Sequence, residues 1–150
     1  MIEGLDATRT TPDWIKERLR RSGLRSLGSI VDITNFVLME YGQPLHAFDY
    51  DLLAGRTIFV RRAKEGEAFS SLTGKDLKLD PQVLVIADAE KPIALAGVVG
   101  GANSEVTNTT QNVVLESACF DPISVLKTSR KYAIRTDSSY RFERGVDIEA

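Results

Sequence analysis

Histidine and cysteine are almost absent from this chain. Its 150 residues include one histidine, His46, and one cysteine, Cys119. A single cysteine excludes an internal disulfide and is typical of a reducing compartment, so we expect a cytoplasmic location. One histidine, one cysteine and scattered carboxylates provide no metal-ligand spacing. His46 is also the only side chain whose ordinary pKa lies near neutrality, which makes it the first candidate for proton chemistry.

Long apolar runs and a strong net charge are missing as well. No stretch is suited to span a bilayer and no secretory signal is present, so we expect no membrane partner. The formal net charge of −2 argues against a protein that holds nucleic acid mainly by its global field, but it allows a local RNA contact. The length suits one domain, or two small intimate lobes, and both ends suggest a piece of a longer protein.

Four helices are predicted from the apolar periodicity and from capping residues. We expect them at 12–22, 29–41, 123–132 and 137–145. Thr11 is the expected cap of the first, Asp121 of the third and Asp137 of the fourth. The predicted buried stripe of the first helix is Trp14, Ile15 and Leu19. In the second helix, the apolar positions that recur at helical spacing are Ile30, Ile33, Val37 and Tyr41.

Strand-like segments occupy the region between the second and third helices. They are expected at 57–63, 67–72, 77–79, 83–87, 92–99 and 112–119. Turn residues separate these segments at short intervals. The sequence therefore predicts an α+β fold with a mainly antiparallel β core, barrel-like or sandwich-like, flanked by helices.

Glu116 is unusual because it lies on a strand that is predicted to be buried. Side chains alternate along a strand, so Glu116 shares a face with Val114 and Ala118. A carboxylate there is costly unless it is paired or lines a pocket. The alternatives are a solvated position on an edge strand and an ion pair with an arginine.

Small residues in the segment LAGVVGG at 95–101 lie where a strand meets a loop. Glycine permits close backbone approach there, and its N–H groups are suited to an anion or an oxyanion. The glycine spacing fits neither a P-loop nor a dinucleotide fingerprint. A bulge or a tight turn is the structural alternative.

Three further features have structural alternatives. Cys119 is a candidate nucleophile that His46 would activate. The favoured interpretation is a core residue, because a lone cysteine on an apolar strand more often fills a core. The basic and aromatic segment 130–145 suits an RNA-facing edge, but a solvated helix face with internal ion pairs is the favoured interpretation. His46 follows a proline turn, where a purely structural histidine is equally consistent.

Six segments together resemble one family, the B3/B4 region of the β subunit of bacterial phenylalanyl-tRNA synthetase. The match runs in order from about residue 11 onward. The segments are GLRS at 23–26, VDITNFV at 31–37, GQPLHAFD at 42–49, LAGVVGG at 95–101, LES at 115–117 and RTDSSYRFERG at 135–145. The resemblance implies that 1–150 is an editing domain with the B3/B4 fold, within a longer β subunit.

The resemblance also implies a set of site residues. His46, Asn35 and Thr34 would take part in catalysis, and Glu116 would recognise the tyrosine hydroxyl. The other implied substrate-binding residues are Arg25, Ala96, Gly97, Gly100, Thr136 and Ser138. This chain has Ser138 where family members commonly have alanine, and Tyr140 where they commonly have histidine.

The implied activity is hydrolysis of tyrosine wrongly esterified to tRNA(Phe), without a metal or another cofactor in this segment. ATP and magnesium would serve the parent synthetase elsewhere. The implied partners are the tRNA acceptor end, the tyrosine moiety, the α subunit and the remaining β-subunit domains. A non-catalytic scaffold or tRNA-docking module and a free-standing deacylase acting in trans are the alternatives.

Overall fold

The computed structural model describes residues 1–147, and these divide into two compact units. The first is built from Met1–Asp51 and Val106–Ala118 with Asp147, and the second from Leu52–Glu105 and Cys119–Val146. Across residues 1–147, no helix is long and apolar enough to cross a membrane.

Helices and antiparallel strands make up both units, which confirms the predicted α+β class. The helices are α1 Asp13–Arg21, α2 Ser29–Tyr41, α3 Pro122–Tyr132 and α4 Asp137–Phe142. The strands are β1 Leu45–Asp49, β2 Phe59–Arg62, β3 Ala68–Ser70, β4 Asp76–Lys78, β5 Leu84–Ala87, β6 Pro92–Leu95, β7 Val99–Gly100 and β8 Val113–Ser117. Short 3₁₀ turns lie at Tyr50–Leu52, Ala54–Arg56 and Ala102–Ser104.

The first unit combines a helical hairpin with a two-stranded sheet. Strands β1 and β8 pair antiparallel, and Ile2 adds a bridge to Val113 on β8. Helix α2 packs against both α1 and β1. Ile15, Leu19 and Leu38 are buried in this arrangement, as is Phe48.

The second unit contains the larger hydrophobic core. Strands β2, β5, β6 and β7 form a four-stranded antiparallel sheet in the order β2-β5-β6-β7, and β3 pairs with β4. The buried side chains of this core are Ala63, Phe69, Leu79, Val83, Val85, Ala87, Leu95, Val98, Val125, Ile134 and Phe142. Val125 of α3 and Phe142 of α4 belong to this core, and Ile134 of the segment between the two helices belongs to it as well. The sheet and these helices therefore share one core.

The predicted range of α2 is confirmed, but the apolar residues that recur along it do not form its buried face. Ile33 and Tyr41 are 50% and 65% exposed, whereas Asp32, Thr34 and Leu38 are buried. The buried face of α2 carries the polar side chains of Asp32 and Thr34, which are hydrogen-bonded within the protein. Apolar periodicity therefore does not identify this face.

The start of α1 also differs from the prediction. Thr11 makes no capping hydrogen bond, and its hydroxyl donates instead to the buried carboxylate of Asp32, 2.5 Å away. Trp14 is 58% exposed and packs edge-on against Phe36, with 5.2 Å between ring centroids. Only Ile15 and Leu19 of the predicted stripe are buried.

The cap of α3 is confirmed, and that of α4 is shifted by one residue. The Asp121 carboxylate accepts from the Ser124 N–H as predicted. Thr136 caps α4 in place of Asp137, because its hydroxyl accepts from the Ser139 N–H while the Ser139 hydroxyl pairs with the Thr136 N–H. The described strands are shorter than predicted, and 92–99 is interrupted by a turn at 96–98.

Candidate functional site

His46 and Glu116 are brought together by the sheet of the first unit. In the antiparallel register of β1 and β8, His46 lies directly opposite Glu116. Side chains at such positions lie on the same face, with Cβ atoms typically about 4.5–5.5 Å apart. The two most conspicuous residues of the sequence, separated by seventy positions, are therefore neighbours.

His46 is a neutral imidazole whose Nε2 is buried without a partner in the described part of the chain. The ring meets Phe48 edge-on, with 4.6 Å between centroids, because residues two apart on a strand share a face. Burial lowers the pKa of His46 to about 4, so the ring is uncharged at pH 7.

Glu116 is partly buried and has no counterion. Burial raises the pKa of its carboxyl to about 7. No ion pair or hydrogen bond involves its side chain in the part of the chain that is described. Of the two structural alternatives for Glu116, the ion pair with an arginine is therefore not observed. The carboxyl is left as an acceptor for a hydroxyl group.

Helix α2 and the loop before it carry the other first-unit candidates. The Thr34 hydroxyl donates to the Val31 carbonyl at 2.8 Å, and Thr34 is buried. Asn35 is half-buried, and its amide makes no hydrogen bond to any other described residue. Arg25 is exposed, with no carboxylate partner among residues 1–147. Asn35 and Arg25 thus keep polar groups free for a ligand.

A buried carboxylate connects the start of α2 to the segments before it. Asp32 is fully buried and accepts hydrogen bonds from the hydroxyls of Thr11 and Ser26, both at 2.5 Å, and from the Leu27 N–H at 2.9 Å. Burial by itself raises the pKa of Asp32, but these hydrogen bonds outweigh it and the net pKa is lowered. Asp32 thereby fixes the helix that carries Thr34 and Asn35.

Ala96 and Gly97 form the tight turn between β6 and β7 in the second unit. Gly97 has φ +71°, which favours glycine. A Cβ at this position would lie 2.9 Å from both Phe120 and Val125 side-chain atoms. The missing side chain of Gly97 thus faces the core, and the turn interpretation of this segment is correct. Its predicted role in substrate binding, with that of the buried Ala96 and Gly100, stays a prediction.

Thr136 and Ser138 lie at the start of α4. The Thr136 hydroxyl donates to the Val98 carbonyl at 2.7 Å in addition to capping the helix, so it ties α4 to the 96–98 turn. Ser138 is half-buried. Both residues belong to the same unit as the turn, and their substrate-binding role stays a prediction too.

Ion pairs inside the segment 130–145 confirm the favoured interpretation of this basic stretch. Glu143 pairs with Arg135 and Arg144, and Asp137 pairs with Arg141. The Arg144 guanidinium also lies over the ring of Tyr140, 3.6 Å from its centroid. Cys119, in contrast, is exposed rather than a core residue. The end of β8 at Ser117 explains this, because Cys119 lies beyond the strand.

Sequence reasoning missed β1 and the role of Asp32. The five residues of β1 lie between a proline and an aspartate-rich turn, and their burial does not alternate, so the run lacks the period-two pattern that indicates a strand. Without β1, the pairing of His46 with Glu116 was not predictable. For Asp32, no local pattern distinguishes a buried acceptor from an exposed one.

Comparison with known proteins identifies one family. The model of the B3/4 domain matches residues 1–150. The chain is 60% identical over 137 residues to the phenylalanine–tRNA ligase beta subunit of Protochlamydia amoebophila, which covers 91% of this chain and 17% of that protein. The corresponding protein of Methylococcus capsulatus is 55% identical over 147 residues, covering 98% of this chain and 18% of that protein. The chain thus spans less than a fifth of these relatives.

A solved structure is also similar, although more distantly. It is an N-terminal fragment of the phenylalanyl-tRNA synthetase beta subunit from Pyrococcus horikoshii, with a TM-score of 0.48 and 15% identity over 58% of this chain and 33% of that one. The family match over all 150 residues confirms the resemblance found in the sequence. The chain belongs to the B3/4 domain family.

Proposed function

We propose that this chain is the editing module of a phenylalanine–tRNA ligase beta subunit, and that it hydrolyses the ester of tyrosine mischarged on tRNA(Phe). The observation that carries this proposal is the cross-strand pair of a neutral His46 and an unpaired Glu116 on one face of the sheet. The high identity to ligase beta subunits supports the tRNA as partner, together with the α subunit and the other domains of the parent enzyme.

Glu116 supplies the selectivity in this proposal. A hydrophobic synthetic site rejects a substrate with one added hydroxyl only weakly, so a second site that requires the hydroxyl is useful. An unpaired carboxyl accepts the hydrogen bond of the tyrosine phenol, whereas phenylalanine would leave the acceptor buried and unsatisfied. A hydrogen bond to a charged acceptor contributes about 1.5–3 kcal/mol.

His46 positions substrate and water in this mechanism and does not act as the main base. A group with a pKa of about 4 is a weak proton acceptor at pH 7. Its unpaired Nε2 is buried, so in this proposal it forms a hydrogen bond with the attacking water or the terminal ribose only after the bound substrate displaces the packing over the ring. The free amide of Asn35 and the guanidinium of Arg25 are the further polar contacts we assign to the substrate. Ala96, Gly97, Gly100, Thr136 and Ser138 stay in the proposed substrate-binding set.

Changing Glu116→Ala in the complete ligase is expected to lower kcat/KM for Tyr-tRNA(Phe) deacylation by roughly 10- to 100-fold, from the loss of one hydrogen bond to a charged acceptor. Deacylation of Phe-tRNA(Phe) should not fall. Release of labelled amino acid from each charged tRNA measures both rates. A Glu116→Ala variant with the wild-type preference for tyrosine would remove Glu116 from substrate selection.

The pH dependence gives a second, independent test of Glu116. Its pKa of about 7 means that the ionised acceptor dominates only above neutrality. The preference for Tyr-tRNA over Phe-tRNA should therefore rise between pH 6 and pH 8 in the wild type, around that pKa. The isosteric Glu116→Gln variant should show no such rise, because an amide does not titrate. The rate of spontaneous ester hydrolysis, measured for each substrate without enzyme at each pH, is subtracted before the ratio of the two rates is taken.

Changing His46→Ala is expected to lower kcat for Tyr-tRNA(Phe) by roughly 10- to 100-fold, through loss of a positioned hydrogen bond. In the Glu116→Gln background, the rate of Tyr-tRNA(Phe) deacylation is corrected for spontaneous ester hydrolysis. This corrected rate should not rise between pH 6 and pH 8 through titration of His46 as a general base, because the pKa of His46 is about 4. A histidine-dependent rise near pH 6.5 in that background would instead establish His46 as the general base. The rate measured across this pH range, with and without His46, decides between the two roles.

A further inference from the structure

A groove in the second unit lies beside helix α3 and is separate from the residues assigned to editing. It has a volume of about 470 Å³. The side chains that matter for its chemistry are Arg62, Ser124, Lys127, Thr128 and Lys131, together with Asp121 at the start of α3. Three of these are cations and one is an anion, so the groove is basic although the chain is slightly acidic.

Two of the cations have no counterion. Arg62 and Lys127 form no ion pair within residues 1–147. Lys131, in contrast, is neutralised by Asp80. The Asp121 carboxylate is occupied by its capping hydrogen bond from the Ser124 N–H at 2.7 Å. The uncompensated positive charge therefore comes from two different elements, β2 and α3, that meet at the groove.

Arg62 is also oriented before any ligand binds. One of its terminal nitrogens donates to the Gln82 carbonyl at 2.5 Å. A guanidinium carries five N–H donors, so this single bond leaves most of them available. Fixing the side chain in advance reduces the conformational entropy lost on binding.

Two hydroxyl groups add neutral donors to the same groove. Ser124 and Thr128 are four residues apart on α3, so they lie one helical turn from each other on one side of the helix. Neither hydroxyl is hydrogen-bonded to another residue in the described part of the chain. Thr128 is only 6% exposed and is one of the residues that line the groove.

The row of cations continues along the exposed side of α3. Lys127 and Arg130 lie three residues apart on the exposed side of α3, whereas Val125, Thr128 and Ser129 form its buried side, and Lys131 on the exposed side is already neutralised by Asp80. Arg130 is exposed and has no ion pair with any described residue. A row of cations with a groove beside it favours a ligand that repeats its negative charge over a single small anion.

We propose that this groove binds the phosphodiester backbone of the RNA, with Arg62 and Lys127 contacting phosphate oxygens and the hydroxyls of Ser124 and Thr128 donating to them. The identity of the RNA rests on the proposed function. Phosphate contacts position a nucleic acid without reading its sequence. The α3 groove would therefore hold the tRNA body while the residues around His46 and Glu116 act on its end.

The salt dependence of tRNA binding tests this proposal. Each lost phosphate contact reduces the slope of log Kobs against log salt concentration by about 0.7 for a single strand and about 0.9 for a duplex. The double variant Arg62→Ala/Lys127→Ala in the complete ligase should therefore reduce the slope by roughly 1.4–1.8. The probes are uncharged tRNA(Phe) and a second, unrelated tRNA, and both should respond alike.

Matched variants make the result specific. Lys91→Ala removes a lysine of the same unit that is exposed in the β5–β6 turn and does not line the groove, so it should leave the slope unchanged. Lys127→Arg keeps the charge and should retain the wild-type slope. Unchanged thermal unfolding of each variant excludes a general loss of structure.

The outcomes separate this inference from the editing proposal. In the double variant, KM for Tyr-tRNA(Phe) deacylation should rise while kcat is unchanged, because the groove contacts no reacting atom. A wild-type salt slope in the double variant overturns the inference and points to an acidic protein or a small anion as the ligand. That result would leave the Glu116 and His46 tests untouched. If the Glu116 and His46 tests fail, a reduced salt slope in the double variant still shows that the groove binds RNA, without any conclusion about editing.

Discussion

Replacing Asp32 with alanine is expected to lower the free energy of unfolding by about 1–3 kcal/mol, the cost of leaving a buried hydrogen-bond donor without its acceptor. The carboxylate accepts from Thr11, Ser26 and Leu27. Its removal leaves the buried Thr11 hydroxyl without an acceptor, whereas Ser26 and Leu27 belong to the exposed part of the chain. Urea denaturation followed by the fluorescence of Trp14, the only tryptophan, measures the effect in the same unit.

The pH dependence of this effect has a defined sign. Hydrogen bonding holds the pKa of Asp32 below its ordinary value. Its contribution is therefore full above the unfolded pKa, about 3.9, and is lost as the pH falls through the lower folded value. The stability difference between wild type and Asp32→Ala should shrink in that acidic range.

Two variants serve as controls for Asp32. Asp13→Ala removes an exposed carboxylate from α1 and should change stability by less than about 0.5 kcal/mol. Asp32→Asn keeps one acceptor oxygen and should lose less than the alanine variant. An Asp32→Ala loss below about 1 kcal/mol would show that the hydroxyls find other partners and that the network does not hold α2 in place.

Changing Gly97→Ala is expected to destabilise the chain by about 2–4 kcal/mol, of which roughly 1 is backbone strain and the rest is overpacking. The backbone has φ +71°, and the new methyl would lie 2.9 Å from atoms of Phe120 and Val125. Val125 belongs to the buried core and the partly buried Phe120 packs against that core, so both neighbours are restrained. Thermal or urea unfolding of the second unit measures the loss.

Gly66→Ala is the matched control, because Gly66 has nearly the same φ, +70°, with nothing within 4 Å of the added methyl. It should lose only the strain component, about 1 kcal/mol. The difference between the two variants isolates the packing contribution. Equal losses in both would show that the core yields to the methyl group and that Gly97 is required for its backbone alone.

Local signals in the sequence predicted the elements whose ends are marked by short-range chemistry. Gly42 in the left-handed region ends α2, and Asp121 with Pro122 starts α3, as predicted. Both signals act within a few residues, so they hold in any tertiary context. The shift of the α4 cap from Asp137 to Thr136 is a choice between adjacent cap residues, decided by the reciprocal bond with Ser139.

Faces and pairings were less accessible to the same reasoning. Ile33 and Tyr41 fit a buried stripe by spacing, yet they are exposed, because the polar side chain of Asp32 finds three donors from the preceding segments. Periodicity counts apolar residues and cannot detect a buried polar residue whose partners are remote. The same limit applies to Trp14, which packs on Phe36 at the surface.

The sequence by itself determined the family, the α+β class and the identity of His46 and Glu116 as the residues to examine, since each rests on residue type and local order. Only the tertiary structure decided that these two lie opposite each other, and that burial makes one neutral and the other a weak acid. The physical reason is that strand pairing and desolvation depend on segments far apart in the chain. No local pattern records which of them will meet.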